Sequence, residues 1–207
     1  MSDNQEVRSQ FVSHFNEEIE AFITALASAY EAWQKYDKTV GTDRRRAYVA
    51  AFLFNALNNL LASMKLFISG YSIPSGNLVR QTLEAMFTAI LCSCKTLQVY
   101  QQIDRDKFST KDSGKLVLKH SELLNLEKDS IKAAMKLYVF YHKFSHSTLL
   151  ALAHNISFTN SGTIYIGPSF DEEKLFAYRK EASGRLNIAK TISNVIEGIL
   201  QEQARTS

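Results

Sequence analysis

Residues that break helices are scarce in this chain, and this scarcity limits its fold more than any other feature. Only 2 prolines and 8 glycines occur among 207 residues. Apolar side chains recur every three or four positions along residues 5–38, which is the spacing of one face of an α-helix. Long uninterrupted stretches with this spacing favour long helices. The sequence therefore predicts an all-α protein.

The same spacing predicts a helical bundle of five to six helices that forms a single domain over residues 1–207. The first and last helices are the two long ones. Residues 156–159 and 163–166 alternate around an Asn-Ser-Gly turn, which is typical of a small β-hairpin before the last helix. We expect helices over residues 5–38, 43–69, 76–102, 115–125, 128–155 and 171–203.

The composition is typical of a globular protein, with 45% apolar and 22% charged residues. The net charge of +3 is too small to imply nucleic-acid binding by itself. Cys92 and Cys94 point away from each other on a helix and cannot form a disulfide, which favours a reducing compartment. The polar N-terminus does not resemble a signal peptide, and the most apolar stretches, 47–61 and 83–94, are too short to span a bilayer. We therefore expect a cytoplasmic protein with no membrane association.

Two short motifs stand in the middle of the chain. Residues 70–84 contain a helix-ending glycine followed by the pattern LxRxxLE, which includes Arg80 and Glu84. Residues 141–146 have the form Y…xSH, and a Gly-Pro pair precedes the last helix. This combination, which covers most of the chain, resembles uncharacterised bacterial families of helical-bundle proteins near the HEPN superfamily.

The resemblance to HEPN proteins implies an RNA-directed function. Many HEPN proteins are ribonucleases or RNA-binding components of toxin–antitoxin and phage-defence systems, and they commonly dimerise. The resemblance thus implies a homodimer whose partner is RNA or another protein. The catalytic motif of the superfamily is an arginine and a histidine with four to six residues between them. For His146 the arginine would stand at positions 139–141, which hold Val139, Phe140 and Tyr141, so this chain departs from the motif.

Polar side chains from two predicted helices are expected to face each other inside the bundle. Arg80 and Glu84 are four residues apart and share a face of an otherwise apolar helix, with Asn77 one turn earlier. Charged groups buried there would need partners, because an unpaired buried charge costs several kcal/mol. One face of the predicted helix over 128–155 carries the residues that could supply them: Tyr138, His142, Ser145, His146 and Leu149.

Such a constellation has the groups needed for phosphodiester cleavage with the 2′-hydroxyl of RNA as the nucleophile. Arg80 could bind a phosphate through two hydrogen bonds, His146 could transfer protons near neutral pH, and Glu84 could orient a partner. We therefore assign Arg80, Glu84 and His146 as the candidate catalytic residues. The candidates nearby are Tyr141, His142 and Ser145. The alternative is that these residues form a structural network in a non-catalytic dimeric binding or scaffold bundle.

His142 and His146 also have the HxxxH spacing with which two imidazoles can share a zinc ion. Glu84 or His154 could supply a third ligand for a metal-dependent hydrolase, although His154 would be rotated by about 120° from His142 on a regular helix. The alternative is that both histidines pack or form hydrogen bonds. HxxxH is a weak motif on its own, so we expect no bound metal. Neither a phosphate-binding glycine loop nor a dinucleotide fingerprint occurs, and we expect no cofactor.

Two groups of basic residues are the remaining candidates for ligand binding. Three consecutive arginines occupy positions 44–46, and four lysines recur at every fourth position between 107 and 119. On a helix these lysines would form one stripe, which could bind phosphates. The alternative is a solvated surface, which is the more usual role of a run of charges.

Overall fold

The computed structural model describes residues 4–146, 148–160 and 162–205. Within these ranges the chain forms eight α-helices and no extended strand, so the predicted all-α bundle is confirmed. The helices are α1 (Gln5–Asp37), α2 (Arg44–Ile68), α3 (Ser72–Ser93), α4 (Val99–Asp104), α5 (Ser113–Lys119), α6 (Lys128–His142), α7 (Leu149–Asn155) and α8 (Leu175–Arg205). Short 3₁₀ turns lie between them at Lys95–Leu97, Thr110–Asp112, Lys143–Ser145 and Glu172–Lys174.

The four long helices, α1, α2, α3 and α8, form the body of the bundle. The consecutive helices α2 and α3 have the most extensive contact in the described part of the chain. The second pair, α1 and α8, runs in the same direction: Arg179 near the start of α8 pairs with Glu18, while Gln203 near its end donates to the Tyr36 hydroxyl. The shorter helices α4, α5, α6 and α7 all contact α3. The first and last helices are therefore neighbours, and the four shorter helices all pack on α3.

An aromatic cluster joins α1, α2 and α8 at one end of the bundle. The centre of the Phe11 ring lies 5.0 Å from that of Phe67, 5.0 Å from that of Phe170 and 4.9 Å from that of Tyr178. Phe11, Phe67 and Tyr178 are buried. Aromatic pairs at such distances add about 0.5–1.5 kcal/mol each to the effect of burial alone, so this cluster anchors the ends of three helices to each other.

The turn between α2 and α3 is tighter than the sequence predicts. Gly70 has a φ of 81°, and a Cβ added there would lie 2.8 Å from the backbone nitrogen of Ser169, so glycine is required. The third helix begins before Pro74, which occupies its first turn, where a missing N–H costs nothing. Ser75 lies inside this helix and does not cap it; the residue is buried, and its hydroxyl donates to the carbonyl oxygen of Ser63 at 2.8 Å.

The helix predicted over 128–155 is interrupted in the middle. The first part, α6, ends at His142, and a 3₁₀ turn and a short extended stretch precede α7. The Thr148 hydroxyl accounts for the restart: it donates to the carbonyl of Lys143 at 2.9 Å and accepts the N–H of Ala151 at 3.3 Å, as an N-cap does. Side chains that bond to nearby backbone groups compete with a continuous helix in this way.

Two other predicted helices are shorter than expected. The helix predicted over 76–102 ends at Ser93, and α4 is separate because Cys94 is extended and Gln98 is left-handed, with a φ of 50°. The helix predicted over 115–125 ends at Lys119, and the residues that follow form turns. Both departures lie at helix ends, where periodicity is least informative.

The predicted β-hairpin is not formed in the described residues; a single antiparallel bridge joins Ile156 and Ile164. A two-stranded hairpin is marginal unless another element covers its apolar face, and Ile164 is 68% exposed. The segment is held by polar groups instead. Asp171 accepts the N–H of Phe158 at 2.7 Å, and the buried ammonium of Lys174 donates to backbone carbonyls at the end of α7 and just beyond it.

Of the described helices, α2 alone is long and apolar enough to cross a bilayer, judged by length and composition. The central helix of a water-soluble bundle meets the same criterion, and α2 packs against α1, α3 and α8. Packing against these three helices is therefore sufficient to account for the apolar side chains of α2.

Candidate functional site

A group of polar side chains lies where α6 and the turn after it pack on α3. Three come from α3, two from α6, and two from the residues that follow α6. We call this group the α3–α6 polar cluster. Its members are Asn77, Arg80, Glu84, Tyr138, His142, Ser145 and His146.

Glu84 is the centre of one half of the cluster. Its Oε1 accepts a hydrogen bond from Nη1 of Arg80 at 2.8 Å and another from the hydroxyl of Tyr138 at 2.9 Å. The side chains of Arg80 and Glu84 are only 22% and 13% exposed, so this ion pair is partly shielded from water. The Nε of Arg80 is buried and has no hydrogen-bond partner among the described residues. This unpaired donor is enclosed by protein atoms, so a ligand could reach only the part of the guanidinium that remains exposed.

The turn after α6 is fastened directly to α3. The hydroxyl of Ser145 donates to Oδ1 of Asn77 at 2.6 Å. Next to this contact, a Cβ added to Gly76 would lie 2.6 Å from the ring of Phe144, so the two segments touch at a place where only glycine fits. The turn that carries His146 is thus held against the first turns of α3.

His142 and His146 form the second half of the cluster. Their Nε2 atoms are 3.1 Å apart and their ring centres 4.6 Å apart, and both residues are exposed. Only one of two facing imidazole nitrogens can hold the hydrogen of such a contact, so one ring donates while the other accepts. A hydrogen-bond donor and a hydrogen-bond acceptor are therefore adjacent at the surface, and the tautomers of the two rings decide which is which.

Tyr138 connects the two halves. Its hydroxyl is bonded to Glu84, and its ring lies over that of His142 with centres 6.1 Å apart and planes inclined by 30°. Burial, followed by the hydrogen bond to the Glu84 carboxylate, raises the pKa of Tyr138. The phenol therefore keeps its proton at neutral pH and acts as a hydrogen-bond donor, not as a base.

The described residues do not assemble a metal site around the histidine pair. No three His, Cys, Asp or Glu side chains come together among residues 4–146, 148–160 and 162–205. Of the two proposed third ligands, Glu84 is occupied by Arg80 and Tyr138, and His154 directs Nδ1 to the carbonyl of Leu150 at 2.7 Å. His154 lies on α7, beyond the break that separates it from His142. The HxxxH spacing therefore yields a pair of imidazoles without a third ligand.

Tyr141, which the sequence places near the candidate site, points into the bundle. It is buried, and its hydroxyl donates to Oε2 of Glu181 at 3.0 Å. Successive residues of a helix differ by about 100° in direction, so Tyr141 faces the core while the neighbouring His142 faces outwards. Tyr141 belongs to a different polar network.

This second network is centred on Arg185 and was missed by the sequence analysis. Arg185 is 0% exposed. Its Nη1 donates to Oε2 of Glu181 at 2.8 Å, its Nε to the hydroxyl of Ser63 at 2.9 Å, and its Nη2 to the hydroxyl of Ser75. The guanidinium also lies 4.7 Å from the centre of the Phe67 ring. One side chain of α8 therefore joins α2 and α3 in the core.

The basic residues at 44–46 are occupied by structural contacts. Arg44 pairs with Asp104 at 2.9 Å, Arg45 is buried and donates to the carbonyl of Ser93, and Arg46 donates to a backbone carbonyl before α2 at 2.8 Å. Asp43 is the N-cap of α2, because its carboxylate accepts the N–H of Arg46. These arginines fix the start of α2 and do not form a common surface.

The lysine stripe predicted between 107 and 119 is also broken. Only Lys115 and Lys119 lie on α5, while Lys107 precedes it in a loop and Lys111 lies in a 3₁₀ turn. Lys115 pairs with Asp112 at 3.1 Å. The four ammonium groups therefore do not follow one helix face.

The α3–α6 polar cluster thus combines an arginine with spare donors, a carboxylate that orients it, and an exposed pair of imidazoles. This set of groups can bind an anion and transfer protons beside it. No protein-family model, curated protein or solved structure was found to match the chain.

Proposed function

We propose that this chain is an RNA-directed phosphodiesterase of the HEPN-like type, with its reactive centre at the His142–His146 pair. The observation that carries the proposal is the 3.1 Å contact between the two exposed Nε2 atoms. Histidine is the side chain that most often serves as a general acid or base, so two adjacent imidazoles can take the two roles of a cleavage reaction. The resemblance to HEPN proteins supports RNA as the substrate class.

In the proposed reaction one imidazole accepts the proton of a ribose 2′-hydroxyl while the oxygen attacks the adjacent phosphorus. The other imidazole, which is protonated, donates its proton to the departing 5′-oxygen. The products are a 2′,3′-cyclic phosphate and a 5′-hydroxyl end. No water or metal takes part in this step. The mechanism differs from the usual HEPN one because no arginine precedes His146 at the expected spacing.

Arg80 is assigned to binding the phosphate. Glu84 accepts a hydrogen bond from Nη1 of Arg80, and the side chain is 22% exposed, so its other terminal N–H groups are the ones that can reach a phosphate. Hydrogen bonds from a guanidinium to phosphate oxygens would stabilise the additional charge of the transition state. Glu84 and Tyr138 act as positioning residues, since they hold the guanidinium and the ring of His142.

The proposal predicts that His142→Ala and His146→Ala each lower kcat/KM for a short RNA by about 100-fold or more, the usual effect of removing a general acid or base. The matched control is His120→Ala, which removes a histidine outside the cluster. The RNA ends should be 2′,3′-cyclic phosphates, and a substrate with 2′-deoxyribose at the cleaved position should be inert. The pH profile of the wild type should be bell-shaped, and each variant should lose one limb.

Cleavage that continues in both folded histidine variants, or that produces 3′-hydroxyl ends, would contradict this proposal. If the wild type does not cleave RNA at all, while Arg80→Ala and Glu84→Ala strongly destabilise the fold, the cluster is a structural network. That result would favour the alternative function.

The alternative is a non-catalytic homodimeric binding or scaffold bundle, and one observation favours it. Large apolar side chains are exposed along α7, the segment that follows it, and the start of α8, and Ile166 is 99% exposed. Each of them exposes on the order of 100 Å², which amounts to several hundred Å² of apolar surface from this part of the chain, and exposed apolar area of that size marks interaction sites where it is contiguous. We call them the exposed apolar surface: Leu149, Leu152, Phe158, Ile164, Ile166 and Phe176.

If this surface forms a homodimer, the double variant Ile166→Asp/Phe176→Asp should be monomeric, because two carboxylates would have to be desolvated at the interface. Light scattering after size-exclusion chromatography measures the mass directly. The control is Ile23→Asp, which places the same group at an exposed apolar position on α1. A monomeric wild type, or a double variant that remains dimeric, would exclude this surface as the dimer interface.

A further inference from the structure

A large groove lies along α6, on a different face of this helix from the α3–α6 polar cluster. It has a volume of about 1000 Å³ and is open to solvent along one side. Its floor is α3, one wall is α6 with the residues before it, and the other wall is the second half of α8. The groove exists because α6 and α8 both pack on α3 but make little contact with each other. None of the residues of the α3–α6 polar cluster lines it.

The walls that α3 and α6 form are largely apolar, and Leu83, Met86, Ala134 and Leu137 line them. The α8 wall is mixed: it contributes Ile188, Val195 and Ile199 together with Asn187, Thr191 and Asn194. Pockets of this size with apolar walls are typical of sites for small molecules, whereas an empty apolar groove of this volume is unusual in a packed helix bundle.

The outer end of the groove carries positive charge. The side chains of Lys95 and Arg205 line it there, together with Arg45, and the only acidic residue among the described lining residues is Glu202. Arg45 is already paired with Asp43, 3.6 Å away, so Lys95 and Arg205 are the cations available to a ligand there, and Glu202 is the carboxylate beside them. An anionic group at this end would be favoured, and an apolar group would be favoured deeper in the groove.

The groove is long enough for an extended ligand. The α8 wall runs from Asn187 to Arg205, which is about 27 Å at 1.5 Å per residue. An extended alkyl chain can lie along this wall with its head at the Arg205 end.

We propose that this groove binds a single-chain amphiphile with an anionic head, such as a fatty acid or an alkyl phosphate. The alkyl chain lies between α3, α6 and α8, and the head lies near Lys95 and Arg205. This site is independent of the proposed cleavage of RNA, and neither proposal depends on the other.

The test uses the full chain and a dansyl-labelled fatty acid as the fluorescent probe. Unlabelled dodecanoate should displace it in a saturable manner below the concentration at which micelles form. Within a series of carboxylates of increasing length, Kd should fall about fourfold per added methylene, which corresponds to ~0.8 kcal/mol. Dodecyl phosphate in a parallel titration shows whether the site prefers a phosphate or a carboxylate head.

Gly198→Phe is the blocking variant. A Cβ at Gly198 meets nothing within 4 Å, and the residue lines the groove, so the new ring enters the space that the alkyl chain would fill. Replacing a glycine within a helix does not weaken the helix. The control is Glu197→Phe, at an exposed neighbour that does not line the groove. Probe binding should fall at least tenfold in Gly198→Phe and should persist in Glu197→Phe.

The charged end is tested by Lys95→Glu/Arg205→Glu. This double variant should weaken dodecanoate at least tenfold and leave uncharged dodecanol unchanged. The proposal is overturned if the wild type shows no saturable binding, if binding survives Gly198→Phe, or if dodecanol binds the wild type as tightly as dodecanoate. It is also overturned if the wild type is a dimer that Gly198→Phe converts to a monomer, because a second copy would then cover the groove.

Discussion

Arg185 is a charged side chain at a position that belongs to the apolar core. The interior-facing residues of α8 recur at intervals of three and four, and Arg185 stands among them with 0% exposure. Its attraction to Glu181 is offset by the cost of removing both charges from water, so the pair as a whole contributes little net stability. Stability is lost mainly when one partner is removed, because the other then remains as an uncompensated buried charge.

We expect Arg185→Ala to lower the free energy of unfolding by about 3–5 kcal/mol, because Glu181 would become an unpaired buried charge. The double variant Arg185→Met/Glu181→Met should lose much less, because no buried charge remains. The matched control is Arg179→Ala, which breaks a surface ion pair with Glu18 and should cost less than about 1 kcal/mol. Urea denaturation measures all three. A double variant as unstable as Arg185→Ala would show that packing, and not charge pairing, is the role of this residue.

Some residues of the candidate site could be predicted from spacing, and others could not. Helical arithmetic placed Arg80 and Glu84 on one face and Tyr138 and His142 on another, and the contact between Glu84 and Tyr138 joins these two faces. The same arithmetic, applied to Tyr141, would have shown that it points to the core. Arg185 left a detectable signal, since it interrupts the apolar stripe of α8, but the identity of its partners depends on tertiary packing.

At the scale of elements, the contact between α3 and the turn after α6 determines where His146 lies. Gly76 is helical, so alanine could adopt its backbone conformation without strain. The obstacle is the ring of Phe144, which would lie 2.6 Å from the new Cβ. Because Phe144 is buried, the ring has little room to move.

Gly76→Ala is therefore expected to destabilise the protein by about 1–3 kcal/mol, the usual cost of overpacking. It should also displace the His142–His146 pair, which would change the imidazole signals in NMR spectra. Gly114→Ala is the matched comparison, because its Cβ would meet the flexible Met135 side chain and lie 3.1 Å from Phe87. This variant should be milder. Equal losses of stability in both variants would mean that the turn after α6 moves away from the new methyl group as easily as the Met135 side chain does.

The elements that the sequence predicted well are those with long periodic patterns. The helices α1, α2 and α8 extend over nearly the expected ranges, because each buries one continuous stripe. The break after His142 was missed because Tyr138, Leu149 and Leu152 continue the helical period across it. The helix is interrupted there by the hydrogen bonds of the Thr148 hydroxyl, which the spacing of apolar residues does not reveal. The hairpin was predicted from alternation alone, and alternation does not reveal whether another element will cover the apolar face.

For the molecule as a whole, several ionisable groups are enclosed in their neutral forms. Burial raises the pKa of Tyr36 to about 12 and that of the Cys92 thiol to about 12. Burial also raises the pKa values of Tyr141 and Tyr178 far above the ordinary range for tyrosine. In the unfolded chain these groups lose their protons at ordinary alkaline pH. The folded state therefore retains protons that the unfolded state releases.

The free energy of unfolding should consequently fall as the pH rises above about 9, where unfolded thiols and then phenols ionise. The contribution of each group is fully present below its unfolded pKa and is lost as the pH approaches the folded value. The loss reaches about 1.4 kcal/mol per pH unit for each group. Urea unfolding between about pH 8 and pH 11 measures it. Cys92→Ala should reduce the slope, and Cys94→Ala, at a partly exposed neighbour, should not. A flat profile would contradict this expectation.

The parallel pairing of α1 with α8 has a consequence for the growing chain on the ribosome. Tyr36 and Gln203, which contact each other across this pair, are separated by 167 positions. At about 5–20 residues per second, translation needs roughly 10–30 s to supply the partner of α1. During that interval the face of α1 that will meet α8 has no intramolecular cover. The nascent polypeptide is therefore a candidate client for chaperones until its final helix has emerged.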